Sequence, residues 1–262
     1  MSARITSLAN PTVKAVRALH LRKERDATGL FVAEGLKNVT EGIELGHAPR
    51  ILLYGPDAAD HPLTRAAAAA ARSAGGEALE VTEAILAKVS RRDNPQAVVG
   101  VFAQAFRALD QIRPRTSACM VALHRVRDPG NLGTIVRTAD AAGCGGVILV
   151  GECCDPYSVE AVRATMGSIF AVPLTRATEA EFATWREAWP GSVVGTLLTA
   201  TVDYRTAEYA KPALLLMGNE QQGLPAEMAR LCDVNVKIPM RGRADSLNLA
   251  VATGIMIYAA TG

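Results

Sequence analysis

The sequence is short of several things, and each shortage closes off a class of protein. Its five cysteines, Cys119, Cys144, Cys153, Cys154 and Cys232, are odd in number and contain no C-x-x-C pair, so neither a disulfide framework nor a zinc site is expected. A reducing cytoplasm suits such a chain. No run approaches the roughly 18 apolar residues that span a bilayer, and the opening MSARITSLANP has no apolar signal core, so a cytoplasmic protein is expected. Net charge is only +2, which neither demands nor excludes a polyanionic partner. Aromatics make up 5% of the chain, and before residue 110 they are Phe31, Tyr54, Phe102 and Phe106 alone, too few for broad base stacking in that half.

What is present is apolar bulk and alternation. With 262 residues and 49% apolar content, the chain can bury two cores. Asn10-Pro11 starts a helix, with proline where its missing N–H is harmless, and Val13, Val16, Leu19 and His20 recur at helical spacing. Arg4, Lys14, Arg17, Arg22, Lys23 and Arg25 face the single acid Glu24 in the first 25 residues. Short apolar runs at Leu30–Ala33, Ile51–Tyr54, Ala78–Val81 and Ala97–Phe102 alternate with helical segments at Leu36–Leu45, Leu63–Ser73 and Thr82–Val89, which reads as a small α/β domain over residues 1–107. Periodicity then lapses into proline and charge, and residues 108–117 are expected to form a linker. From 118 to 262 strand-like runs at Cys119–Leu123, Gly146–Val150, Ser192–Leu198, Ala213–Met217 and Val234–Ile238 alternate with helices, the last over Leu247–Ala259. Nearly continuous apolar strands separated by helices predict a mainly parallel sheet covered on both faces, with ligands at the carboxyl ends of its strands.

Three loops follow such strands. Asp128–Asp140, DPGNLGTIVRTAD, resembles a phosphate loop opening a helix near Gly133, and Gly218–Gly223 has the spacing of one, but neither carries the required lysine and Leu224 stands in its place. Phosphoryl transfer is therefore disfavoured, and no G-x-G-x-x-G follows a strand to support a nicotinamide enzyme or an ordinary Rossmann methyltransferase. In the third loop, IPMRGRADSLNLAVATG at Ile238–Gly254, Ser246 is expected to cap the terminal helix, while Asn248 in an apolar first turn calls for a local backbone bond or a ligand contact.

Together, N-L-G-x-I-x-R-T-A at Asn131–Ala139, M-G-N-E-x-x-G at Met217–Gly223, and I-P-M followed by S-L-N-x-x-V-A-T-G at Ser246–Gly254 resemble the SpoU/TrmH-type RNA ribose 2′-O-methyltransferases of the SPOUT superfamily. The resemblance covers roughly residues 118–262. Residues 3–46, with LFVAEG at Leu30–Gly35, resemble the N-terminal substrate-binding domain that many of these enzymes carry. One departure is Ala250, where the family often has serine.

The resemblance implies an α/β-knot (trefoil knot) methyltransferase domain, S-adenosylmethionine as cofactor, no metal, and RNA as substrate, with ribosomal RNA preferred to transfer RNA. It places Gly218, Ile238, Met240 and Leu247 at the cofactor, although a core role for Met240 remains open. Arg137, Asn131, Glu220, Ser246 and Asn248 match functional positions. Arginine rarely gives up a proton, so Arg137 is expected to grip a phosphate and polarise the ribose hydroxyl; the alternative is a salt bridge to Asp140. Glu220 either meets substrate or orients its own loop. Lys14, Arg17, Arg22 and Lys23 are expected to meet RNA phosphates. The family implies a homodimer through the C-terminal domain, and the all-round apolar surface of Leu247–Ala259 gives that expectation a physical reason. A protein keeping the fold and RNA binding without catalysis is the rival reading.

Overall fold

The computed structural model describes residues 4–112 and 119–262, so residues 113–117 of the expected linker lie outside the described residues. The chain forms two compact units, residues 1–104 with 157–170, and residues 105–156 with 171–262.

The first unit opens with α1 (Pro11–Ala18), whose Asn10 side chain accepts from the backbone N–H groups of Thr12 and Val13. It thus satisfies two donors that a helix start leaves unpaired. Then come α2 (Arg22–Thr28), β1 (Leu30–Glu34), α3 (Leu36–Glu44), β2 (Ile51–Tyr54), the short α4 (Pro56–Ala59), α5 (Pro62–Ser73), β3 (Glu77–Glu80), α6 (Glu83–Ser90) and β4 (Val98–Ala103). The strands form a four-stranded sheet in the order β1-β4-β2-β3, antiparallel except for the β2–β3 pair. Val13 and Val16 of α1 pack with Ile85, Leu86 and Val89 of α6 in one core cluster.

The second unit begins at residue 105, and Arg107 donates its backbone N–H to the Leu174 carbonyl at 2.8 Å. Its first elements are β5 (Cys119–His124), α7 (Pro129–Ala141) and β6 (Val147–Val150). Asp128 caps α7, its Oδ1 accepting from the Asn131 N–H at 2.6 Å. The helix therefore starts four residues before the Gly133 expected from sequence, because aspartate and Pro129 together define the start.

The chain then supplies α8 (Val159–Thr165) to the first unit, where Arg163 pairs with buried Glu34 at 2.9 Å and Tyr157 lies 4.7 Å from Phe31, ring to ring. The second unit resumes with β7 (Leu174–Ala177), α9 (Glu179–Arg186), β8 (Val193–Thr196), β9 (Val202–Asp203), β10 (Ala213–Met217), α10 (Ala226–Ala229), β11 (Val234–Lys237) and α11 (Leu249–Thr261). Its seven strands run in the order β7-β6-β5-β10-β8-β11-β9, and every pair is parallel. Every residue of β5, β6 and β10 is buried, as strands covered on both faces require. The carboxyl ends of β5, β8, β10 and β11 consequently open along one edge, where the three sequence-marked loops begin.

Candidate active site

A cavity of about 1010 Å³ lies at that edge. Its wall comes from the start of α7, the segments after β8, β10 and β11, and the start of α11, and includes Asn131, Gly218, Glu220, Ile238, Met240, Ser246, Leu247 and Asn248. Of the residues expected at the cofactor or in catalysis, Arg137 alone is outside this lining.

Three of the wall residues are joined by hydrogen bonds. Asn248 donates Nδ2–H to Asn131 Oδ1 at 2.9 Å, and Asn131 donates its own Nδ2–H to Glu220 Oε1 at 3.1 Å. Glu220 also accepts from the backbone N–H groups of Arg127 and Asp128, both at 3.3 Å. Glu220 therefore ties its own loop to the segment before α7. Desolvation raises its affinity for a proton, but the hydrogen bonds from Asn131 and the backbone outweigh burial and hold the carboxyl below its ordinary value. At neutral pH it is an ionised acceptor, and the chain Asn248→Asn131→Glu220 has one direction.

Asn248 has a second duty. Its Oδ1 accepts from the N–H groups of Ala250 and Val251, at 2.9 and 3.3 Å, making it the N-cap of α11. This corrects the assignment of Ser246 as cap. Ser246 is exposed ahead of the helix and donates its hydroxyl to Asp245 at 3.3 Å. The third loop needs no serine at position 250 for this cap, since the backbone of Ala250 makes the bond.

Gly218 lines the cavity and also lets its own loop close. A Cβ there would sit 2.0 Å from the Gly223 carbonyl carbon and 2.2 Å from the Leu224 nitrogen. Glycine lets the loop fold against itself, with Asn219 and Gly223 exchanging backbone hydrogen bonds at 3.2 and 3.1 Å and Asn219 Oδ1 accepting from Gln221 and Gln222. Segment 238–247 is the opposite. Among the described residues, none of its backbone groups enters a backbone hydrogen bond. Thr196 Oγ1, also in the wall, is buried without a partner among the described residues. The cavity thus offers apolar side chains beside unused polar groups, which fits a ligand with an aromatic base and several hydrogen-bonding atoms.

Arg137 is exposed on α7, and no ion pair with Asp140 forms among the described residues. Burial, followed by the charges of Cys153, Glu220, Asp128 and Asp155, pushes the Cys154 thiol up to about 12 and keeps it protonated. Among the described residues, no group of three or more His, Cys, Asp or Glu could hold a metal ion, and no helix is long and apolar enough to cross a membrane.

Sequence reasoning missed the clamp beneath this edge. Buried His124 at the end of β5 shares Glu179 Oε1 with Arg125, whose Nε donates to it; both distances are 2.7 Å. Arg125 is held in the left-handed region at φ 51°. The partners lie 55 residues apart in the chain, so no local pattern could have paired them.

In the first unit Lys14, Arg17, Arg22 and Lys23 are all exposed, as phosphate contacts must be. Arg22 is paired with Asp26 at 3.5 Å and Lys23 with Glu24 at 3.8 Å, leaving Lys14 and Arg17 without ion-pair partners among the described residues. Arg25 is buried, donating to the Leu19 carbonyl at 2.7 Å.

Comparison with known proteins joins these features. Residues 118–258 match the SpoU rRNA Methylase family, and residues 10–100 match the MRM3-like substrate binding domain. The chain is 33% identical to a 23S rRNA (uridine(2479)-2′-O)-methyltransferase of Streptomyces viridochromogenes, over 91% of this chain and 85% of that one. It is 30% identical to a 23S rRNA (guanosine(2553)-2′-O)-methyltransferase of Bacillus subtilis, over 97% of each. Among solved structures, an AdoMet-bound rRNA methyltransferase from Sinorhizobium meliloti is 52% identical and superposes with a TM-score of 0.92 over 98% of this chain and 97% of that one. With the family match over residues 118–258 and three loops converging on one cavity, the chain belongs to the SpoU rRNA methylase family.

Proposed function

We propose that this chain methylates the 2′-hydroxyl of a ribose in ribosomal RNA, using S-adenosylmethionine as donor. Family membership carries the reaction class, and the observation that ties it to this chain is the Asn248–Asn131–Glu220 chain on the wall of the cavity. Two relatives that this sequence matches over most of its length act on 23S rRNA, which favours that substrate over transfer RNA.

Gly218, Ile238, Met240 and Leu247 would hold the cofactor, with the unpaired backbone of segment 238–247 supplying hydrogen bonds. When bound, S-adenosylmethionine supplies an electrophilic methyl group on sulfur. The polar side chains act on the other reactant. Glu220, ionised and fixed by three N–H groups at and just before the α7 start, keeps Asn131 in one amide orientation; Asn131 and the exposed hydroxyl of Ser246 then position the ribose. Arg137 grips the neighbouring phosphate with its planar fork and polarises the 2′-oxygen, and the proton leaves to solvent.

Arg137 lies outside the cavity lining, which favours a site completed by a second subunit. Helix α11 supports a homodimer: Leu249, Thr253, Met256, Ile257 and Ala260 are buried, yet Val251 and Tyr258, seven residues apart on the opposite face, are 53% and 59% exposed. In this reading Arg137 of one subunit faces the cavity of the other. The parallel sheet and the family together support a trefoil knot in the second unit, the first unit serves as the RNA-binding domain, and the protein works in the cytoplasm.

The test is transfer of labelled methyl from S-adenosylmethionine to large-subunit ribosomal RNA from cells lacking this protein, followed by nucleoside analysis. Label in a 2′-O-methylnucleoside is the expected result. Label on a base, or RNA binding without transfer, would contradict the proposal.

A further inference from the structure

A second cavity, of about 340 Å³, lies on the first unit between Arg17 of α1 and the end of α6, where Ala87, Lys88, Arg91, Arg92 and Asp93 complete its wall. Four cations and one acid surround it. Among the described residues, none of the four cations forms an ion pair, and none donates a side-chain hydrogen bond. Several exposed cations of this unit are neutralised, Arg4 by Glu80, Lys37 by Glu41 and Arg65 by Asp60, and the exposed cations without an ion pair elsewhere in it among the described residues, Lys14, Arg50 and Arg72, line no cavity with one another. Converging unpaired like charges repel one another unless an anion joins them.

The backbone gives an independent argument. Arg91 is the C-cap of α6 at φ 53°, ψ 42°, the left-handed conformation that glycine adopts without steric penalty. Of the other left-handed C-caps in this unit, that of α2 is Gly29 at φ 65° and that of α8 is Met166 at φ 52°, so Arg91 is one of two caps here, among the described residues, that hold a side chain in this conformation. The favourable field of a helix C-terminus accounts for a cation in the last turn, such as Lys88. It does not account for a strained arginine one step beyond, nor for Arg17 arriving from another helix.

We propose that this groove binds consecutive backbone phosphates of the substrate RNA, through Arg17, Lys88, Arg91 and Arg92. The proposal rests on the RNA-methyltransferase reading and adds α6 and its C-terminal turn to the basic residues of α1. Four cations with no aromatic residue in the wall recognise phosphate geometry rather than base identity, so the groove holds RNA in place and leaves the choice of nucleotide to other contacts.

The test measures binding of the full-length protein to a large-subunit ribosomal RNA fragment across a series of KCl concentrations. Each phosphate contact contributes roughly 0.7–0.9 to the slope of log K against log salt, so the combined variant Lys88→Gln, Arg91→Gln, Arg92→Gln should lose about two units of slope. Its affinity for S-adenosylmethionine should equal wild type. Arg91→Gly supplies a second reading in which the backbone is relieved, not strained: it should melt no lower than wild type and still lose roughly one contact's slope. The control pair Arg65→Gln, Arg72→Gln on α5 should leave the slope unchanged. An unaltered slope in Arg91→Gly and in the combined variant, with methyl transfer by the wild type intact, overturns the groove alone. A wild type that methylates no ribosomal RNA overturns the reading beneath it.

Discussion

The two units present polar residues in opposite ways. At the edge of the parallel sheet Asn131, Glu220 and Asn248 are tied to one another and to two helix starts, so each side chain has one orientation before any ligand arrives. On the first unit Lys14, Arg17, Lys88, Arg91 and Arg92 are exposed and have no ion-pair partners among the described residues. A fixed cluster suits chemistry, which needs atoms in register; loose cations suit a polymer of phosphates, which needs charge at several points. Changes in the second unit should therefore be read in turnover or cofactor binding, and changes in the first in salt-dependent RNA affinity.

The largest effect is expected at Gly218. Gly218→Ala drives a Cβ into the backbone of Gly223, so the loop opens and calorimetry should detect no S-adenosylmethionine binding. Ordinary affinity in that variant would show that the loop's closure does not matter to the cofactor.

Arg137→Ala should come next, with kcat down on the order of 10²–10³-fold, as for loss of one preorganised donor, and cofactor affinity nearly intact. Lysine should fail to rescue it. In heterodimers, an Arg137→Ala subunit paired with a Gly218→Ala subunit should regain part of the activity if the site is shared. A fully active monomer at assay concentration would refute both the dimer and the sharing.

Glu220→Gln should lower turnover by roughly 10–100-fold, since a neutral amide is a weaker acceptor for three N–H groups, and leave S-adenosylmethionine binding within a few-fold. The sign of its pH dependence follows from the depressed carboxyl. Its contribution is fully present above the ordinary glutamate value and is lost only as pH falls through the lower value of the folded protein. Activity between pH 6 and 8 should therefore be insensitive to this group. A step in that range abolished by Glu220→Gln would mean that the carboxylate is not held as described.

Smaller still, Lys14→Gln with Arg17→Gln should flatten the salt dependence of RNA binding by about 1.5 units, whereas Arg22→Gln with Lys23→Gln should do less, because those cations already have Asp26 and Glu24. Asn10→Ala should do least: about 1 kcal/mol of stability from the lost cap of α1, visible as a melting shift of roughly 2–4 °C.

The fold was legible wherever local chemistry decided it. Asn10-Pro11 announced α1, and the apolar runs announced nine of the eleven strands among the described residues; the remaining two are Leu174–Ala177, interrupted by Arg176, and the two-residue Val202–Asp203. Long-range pairing was not legible. Asn131 and Glu220 are 89 residues apart and Asn131 and Asn248 are 117 apart, so the resemblance could name them but could not say that they form one chain of hydrogen bonds. The cap at Asn248 in place of Ser246 turned on two backbone bonds that either residue type could make. The self-closure behind Gly218 and the left-handed Arg91 are backbone facts with no signature in residue type, and α8 joins the first unit through contacts across 129 residues, such as Glu34 with Arg163.

The most direct measurement is a nucleotide-resolution map of 2′-O-methylation in cellular RNA, with and without this gene. The account predicts that deletion removes methylation at a ribosomal RNA ribose, and that the wild-type gene restores it while Arg137→Ala does not. An unchanged ribosomal map, or a lost methyl group found only in transfer RNA, would contradict it.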